Sequence, residues 1–87
     1  MKSRSTRDFW DLFWQLPEEE RKRARQAYRY WRENPQHNSL HFKRVSRRQP
    51  IYSVRVGKSY RALGLLDGDT VTWYWIGTHA EYDRLLG

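Results

Sequence analysis

One boundary in this sequence constrains the fold more than any other: at "NPQHNS", Asn34 to Ser39, the apolar residues change their period. Before it they recur with the spacing of a helix face, and after it they alternate, as side chains do on a half-buried strand. A chain that reads helix first and strand second must lay a helical layer on a sheet, because neither layer buries its apolar side alone. With 87 residues there is room for one small domain, residues 1–87, with a thin core.

The helical half divides in two. Phe9, Leu12, Phe13 and Leu16 fall at i, i+3, i+4 and i+7, with Ser5 or Thr6 available as N-cap and Asp8 in the first turn. Pro17 restarts the chain at a plausible first helical position, followed by Glu18 to Glu20 at the positive end of the helix dipole. Ala24, Ala27, Tyr28 and Trp31 then form one stripe, and Asn34 and Pro35 end the segment. These two helices are expected to form a hairpin, apolar inside and basic outside.

In the strand half, Leu40 and Phe42 alternate with His41 and Lys43, and "IYSVRV", "YRALGLL" and "TVTWYWI" continue the pattern in β-branched and aromatic residues. "GKS" and "DGD" are short glycine-bearing loops, so the last three strands are expected to form an antiparallel meander. Thr78 followed by Glu81 matches a capping box and starts a last short helix with His79 as its first residue. Tyr82, Leu85 and Leu86 lie on its docking face. The expected class is α+β: a two-helix N-terminal hairpin packed on a four-stranded, mostly antiparallel sheet, with a short C-terminal helix.

Composition bounds the partners. Seventeen Lys and Arg against ten Asp and Glu give a net charge of +7, which suits a polyanion such as nucleic acid, or a small acidic protein. Five Trp and six Tyr supply the buried area that a short chain otherwise lacks. There is no cysteine, so disulfides and thiolate metal sites are excluded and a reducing cytoplasm is expected. No apolar run approaches the roughly 20 residues that span a bilayer, and "MKSRSTRDF" lacks the apolar segment of a secretory signal. No membrane association is expected.

Candidate chemistry gathers at the meander. If the hairpin loop is Gly57, Lys58 and Ser59, then Arg55 lies directly opposite Arg61. Two facing guanidinium groups disfavour each other by a few tenths to about 1 kcal/mol unless an anion sits between them; a phosphate resolves the conflict, and so does splaying into screened solvent. His79 at a helix start sits beside unpaired N–H groups that attract phosphate oxygens and favour a neutral, proton-accepting imidazole. RNA cleavage needs one group to take the 2′-hydroxyl proton and another to protonate the leaving 5′-oxygen, and His79 suits either step; packing on Trp75 or Tyr82 is the plain alternative.

Tyr82 reads both as a ring anchoring the helix and as a hydroxyl offered to phosphate. Glu81 is explained by the cap. His37 and His41 match a metal-ligand spacing only on a helix, which "PQHNSLH" does not support, so no metal and no cofactor is expected. Lys43, Arg44 and Lys58 are weaker RNA-binding candidates, and the face of "RKRARQAYRYWR" is a secondary electrostatic contact.

The element order, with "YSVRVGKSYRALG" and "WIGTHAEYDRLL", resembles the RelE/ParE superfamily of small bacterial toxins from type II toxin–antitoxin systems. The likeness spans nearly the whole chain. In the RelE branch it implies a metal-free mRNA interferase acting in the ribosomal A site, with Arg55 and Arg61 at the phosphate-binding strand positions, His79 at the proton-transferring histidine and Tyr82 as a looser match. Ser53 stands where a lysine often does. The resemblance also implies a small antitoxin whose acidic residues neutralise the cleft. A ParE-like toxin that poisons DNA gyrase without cutting RNA, and an inactive antitoxin-binding homologue, are the alternative readings.

Overall fold

The computed structural model describes all 87 residues. Its elements, in order, are β1 (Lys2–Ser5), α1 (Arg7–Trp14), α2 (Glu18–Glu33), a 3₁₀ turn (Asn38–Leu40), β2 (Lys43–Arg44), β3 (Ile51–Val56), β4 (Tyr60–Asp67), β5 (Thr70–Thr78) and α3 (His79–Leu86). The strands form one sheet in the order β1-β5-β4-β3-β2, antiparallel except for β1, which runs parallel to β5. The sheet therefore has five strands, not four. β1 is "KSRS", with no apolar residue to reveal it; it is a strand because backbone groups of β5 pair with it, Lys2 beside Thr70 through Ser5 beside Trp73.

The helix starts follow from their caps. The Thr6 hydroxyl accepts from the backbone N–H of Phe9 at 3.1 Å, satisfying one of the orphan donors of the first turn. Pro17 occupies the N-cap of α2 rather than its first helical position and makes no side-chain cap; the three glutamates after it face the positive dipole end.

Helices α1 and α2 cover one face of the sheet. Phe13, Leu16, Ala27, Trp31 and Leu40 meet Val54, Val56, Ala62, Val71, Trp73 and Ile76 in a single core. Trp31 is the centre, 1% exposed, with its ring edge-on to Trp73 at 5.4 Å and to Phe42 at 6.0 Å. Each such large buried side chain contributes about 1.5–3 kcal/mol over its exposed state.

A register shift at Leu63/Gly64 makes this core possible. Leu63 pairs with Trp75 while Gly64 pairs with Trp73, leaving Tyr74 as the extra residue of β5. A bulge resets alternation, so Trp73 and Ile76, three apart, both face the helices.

Three further expectations need correction. Leu40 and Phe42 do not alternate on a strand: Leu40 ends the 3₁₀ turn, His41 takes a left-handed φ of 47°, and β2 is only Lys43–Arg44. Tyr28 is 40% exposed, because its hydroxyl is held by Ser3 Oγ at 2.6 Å and Arg32 at 3.3 Å at the surface. Helix α3 docks through half-buried Tyr82 alone, with Leu85 and Leu86 exposed, since its short length brings only its first turns over the sheet.

Candidate functional site

The face of the sheet opposite α1 and α2 carries the charged residues. Val54, Val56 and Ala62 are buried against the helices, so Ser53, Arg55, Arg61 and Leu63, which alternate with them, point the other way. The register pairs Arg55 with Arg61 and Val56 with Tyr60, as the three-residue loop requires. Two guanidinium groups thus share one patch of a half-buried sheet surface. Burial first, and then the positive charge of Arg55, press the Arg61 guanidinium below the usual arginine range, while Tyr82 and Asp83 act in the opposite direction. Each arginine is steadied by a local carbonyl: Arg55 Nε donates to Gly57 O at 3.1 Å, and Arg61 Nη1 to Tyr60 O at 2.8 Å.

Helix α3 frames this patch. Both halves of the capping box are present: Glu81 N–H donates to Thr78 Oγ1 at 3.1 Å, and Glu81 Oε1 accepts from Thr78 N–H at 3.0 Å and from the Thr78 hydroxyl at 2.9 Å. The Thr78 N–H, followed by its hydroxyl, holds the Glu81 carboxyl below the usual range. The backbone N–H of His79 donates to Ser59 O at 2.8 Å, which ties the helix start to the β3–β4 hairpin beside Lys58. The Tyr82 hydroxyl donates to Ser53 Oγ at 3.4 Å, carrying the ring across β4 to β3.

His79 is exposed, and its Nδ1 lies 3.0 Å from Asp83 Oδ2 one turn on. That contact engages Nδ1 and leaves Nε2 as the free ring nitrogen. The imidazole also meets the Tyr82 ring edge-on, centroids 5.8 Å apart. Asp83 connects the two halves of the site, because the carboxylate that pairs with His79 also acts on Arg61. Sequence reasoning missed Asp83; its signal was the i, i+4 spacing from His79.

Of the weaker candidates, Lys43 lies directly across from Ser53, so the neighbouring strand supplies a cation in the row where Ser53 supplies none. Lys58 is exposed in the hairpin loop. Arg44 is separated from the others: it pairs with Tyr52, on the opposite side of the sheet, and its guanidinium donates to the carbonyls of Ser46 and Arg47 at 2.8 and 3.4 Å. Trp75 faces the arginines' side, and its ring lies where a Cβ at Gly77 would be, 2.5 Å away. No three histidine or carboxylate side chains converge into a metal-holding group, and no helix is long and apolar enough to cross a membrane.

Comparison with known proteins begins with the fold. A chain of the RelB–RelE antitoxin–toxin complex from Methanococcus jannaschii superposes with a TM-score of 0.76 at 18% identity, over 97% of this chain and 99% of that one. YafQ from E. coli gives 0.73 at 10% identity, over 93% and 96%. The YoeB/ParE toxin from Agrobacterium tumefaciens gives 0.69 at 16% identity, over 91% and 99%. At such identities the likeness establishes the fold alone. None of the curated protein sequences matches the chain. The model of the ParE-like toxin domain matches residues 18–84, from the first turn of α2 through the arginine pair to α3, and the chain therefore belongs to the ParE-like toxin domain family.

Proposed function

We propose that the protein is the toxin of a toxin–antitoxin pair and an endoribonuclease that cleaves mRNA on the ribosome. The observation that carries this reading is the pairing of Arg55 with Arg61 on an open sheet face, bordered by Tyr82 and by a His79 whose Asp83 partner also acts on Arg61. Facing cations disfavour each other unless an anion sits between them, and a phosphodiester is an anion that suits a chain of net charge +7. In the reaction the 2′-oxygen bonds to phosphorus, the bond from phosphorus to the 5′-oxygen breaks, and a 2′,3′-cyclic phosphate is left. One group takes the 2′-hydroxyl proton, another returns a proton to the 5′-oxygen, and the arginines hold the charge that builds on the non-bridging oxygens. In this reading His79 Nε2 serves one proton transfer and Tyr82 orients the phosphate. Lys43 and Lys58 extend the cationic track for the flanking RNA.

The partner in this reading is a small antitoxin, as in the RelB–RelE complexes from Methanococcus jannaschii and Pyrococcus horikoshii. The site of action is the cytoplasm.

The test is mRNA cleavage in a translating extract. Arg61→Ala and His79→Ala are each expected to lower the rate about 10²-fold or more, the range for removing a transition-state donor or a proton carrier. If parent protein leaves mRNA intact, or if both variants cut as well as the parent, the nuclease reading is wrong. The family to which the chain belongs favours one second reading, a ParE-like toxin that inhibits DNA gyrase without cutting RNA; inhibited supercoiling with intact mRNA establishes it. An inactive antitoxin-binding homologue would do neither.

A further inference from the structure

An apolar cavity lies on the other face of the sheet from the arginine pair. It is a cleft of about 360 Å³ between the helical hairpin, β1 and the inner faces of β3, β4 and β5, with twelve of its seventeen lining residues apolar. That volume and lining are those of a small-molecule site. Trp31 and Trp73 are in its wall, and both indole N–H groups are buried without a hydrogen-bond partner. The other polar groups of the wall that can pair internally do so: Trp10 Nε1 donates to Ser5 Oγ at 3.0 Å, and Tyr28 OH and Ser3 Oγ are 2.6 Å apart. A buried unmet donor costs about 1–3 kcal/mol, and native structures rarely carry two side by side, yet these rings lie edge to face at 5.4 Å.

Charge narrows the ligand. Arg4, Arg25 and Arg29 line the same cleft, no carboxylate does, and none of the three is ion-paired. The Arg25 guanidinium lies 5.3 Å from the centroid of Phe13, at the boundary between the apolar wall and solvent. The wall offers aromatic faces and unpaired guanidinium groups, and no negative charge.

We propose that this cleft binds a small anion with a flat apolar body, an aromatic carboxylate. The flat body lies against the aromatic wall beside Trp31 and Trp73, and the carboxylate meets Arg25 and Arg29. The site is independent of the nuclease reading, since Val54, Val56 and Ala62 separate it from Arg55 and Arg61.

The test titrates the full chain with indoleacetate and with neutral indole, following the indole N–H resonances of its five tryptophans in ¹⁵N-edited NMR, assigned through Trp→Phe variants. Saturable shifts confined mainly to Trp31 and Trp73 are expected with both probes, tighter for the carboxylate. Arg25→Ala with Arg29→Ala is expected to weaken indoleacetate about tenfold, as loss of charge-assisted hydrogen bonds does, and indole hardly at all. Ala24→Met, which narrows the cleft at a half-buried position, is expected to abolish both while the spectrum stays folded. The proposal is overturned by probes that never saturate, by shifts centred on Trp75 across the sheet, or by arginine variants that weaken both probes equally. It is equally overturned if only a protein segment shifts Trp31 and Trp73, which would make the cleft a groove for a polypeptide.

Discussion

Each face of the sheet carries a tryptophan lying over a glycine, and the two pairs behave differently. On the helix-covered face the ring of Trp73 lies over Gly64, where a Cβ would come within 2.5 Å of Val71 and 2.8 Å of the indole. On the other face the far edge of the Trp75 ring occupies the same space over Gly77. Trp73 is held among Trp31, Phe42 and the helices, whereas Trp75 is half-buried with solvent on one side. The same local device therefore serves close packing on one side and leaves an adaptable surface on the other, next to two arginines that gain nothing from each other's company.

The largest expected effect breaks the comparison most directly. Trp31→Ala should lose about 3–5 kcal/mol of stability, the usual cost of truncating a large buried aromatic, whereas Arg55→Ala should be neutral or stabilising by up to about 1 kcal/mol, because it removes a repulsion. Urea unfolding of both variants measures this, and a destabilised Arg55→Ala would show that the open face carries part of the fold. A smaller contrast sharpens it: Gly64→Ala should cost about 1–3 kcal/mol through overpacking, and Gly77→Ala clearly less, since the Trp75 ring can swing towards water. Equal costs would mean that Trp75 is as fixed as Trp73.

Much of this was legible. The "GKS" loop set the Arg55–Arg61 register because hairpin length fixes which residues face each other, and the Thr78–Glu81 spacing set the start of α3. The unread parts share a cause, which is that they depend on distant partners. β1 has no pattern of its own, and Tyr28 sits on an apolar stripe yet is drawn outward by Ser3, a residue of that unread strand. Arg44 was grouped with Lys43 by adjacency, although neighbours on a strand face opposite sides. The unpartnered Trp31 and Trp73 donors could not be foreseen, because only the packed interior shows what a buried indole lacks.

The smallest effect concerns the edge of the open face. The Glu81 carboxyl is held below its ordinary value by the Thr78 cap, so its contribution to α3 is complete above about pH 4.3, the ordinary glutamate value, and is lost as pH falls through the lower folded value. Protection of the Glu81 amide against exchange should decline over that acid window in the parent and stay flat in Glu81→Gln. Parallel behaviour of the two would detach the cap from the titration.

The parallel pairing of Lys2–Ser5 with Thr70–Trp73 has a consequence for synthesis. The first strand to leave the ribosome waits for nearly seventy more residues before its partner exists, and such long-range closure is slow to form. Until then a nascent chain has its helices and an arginine-bearing hairpin, but neither the sealed sheet edge nor the histidine and tyrosine that follow it. The surface around the arginines is therefore completed only by the segments made after Thr70.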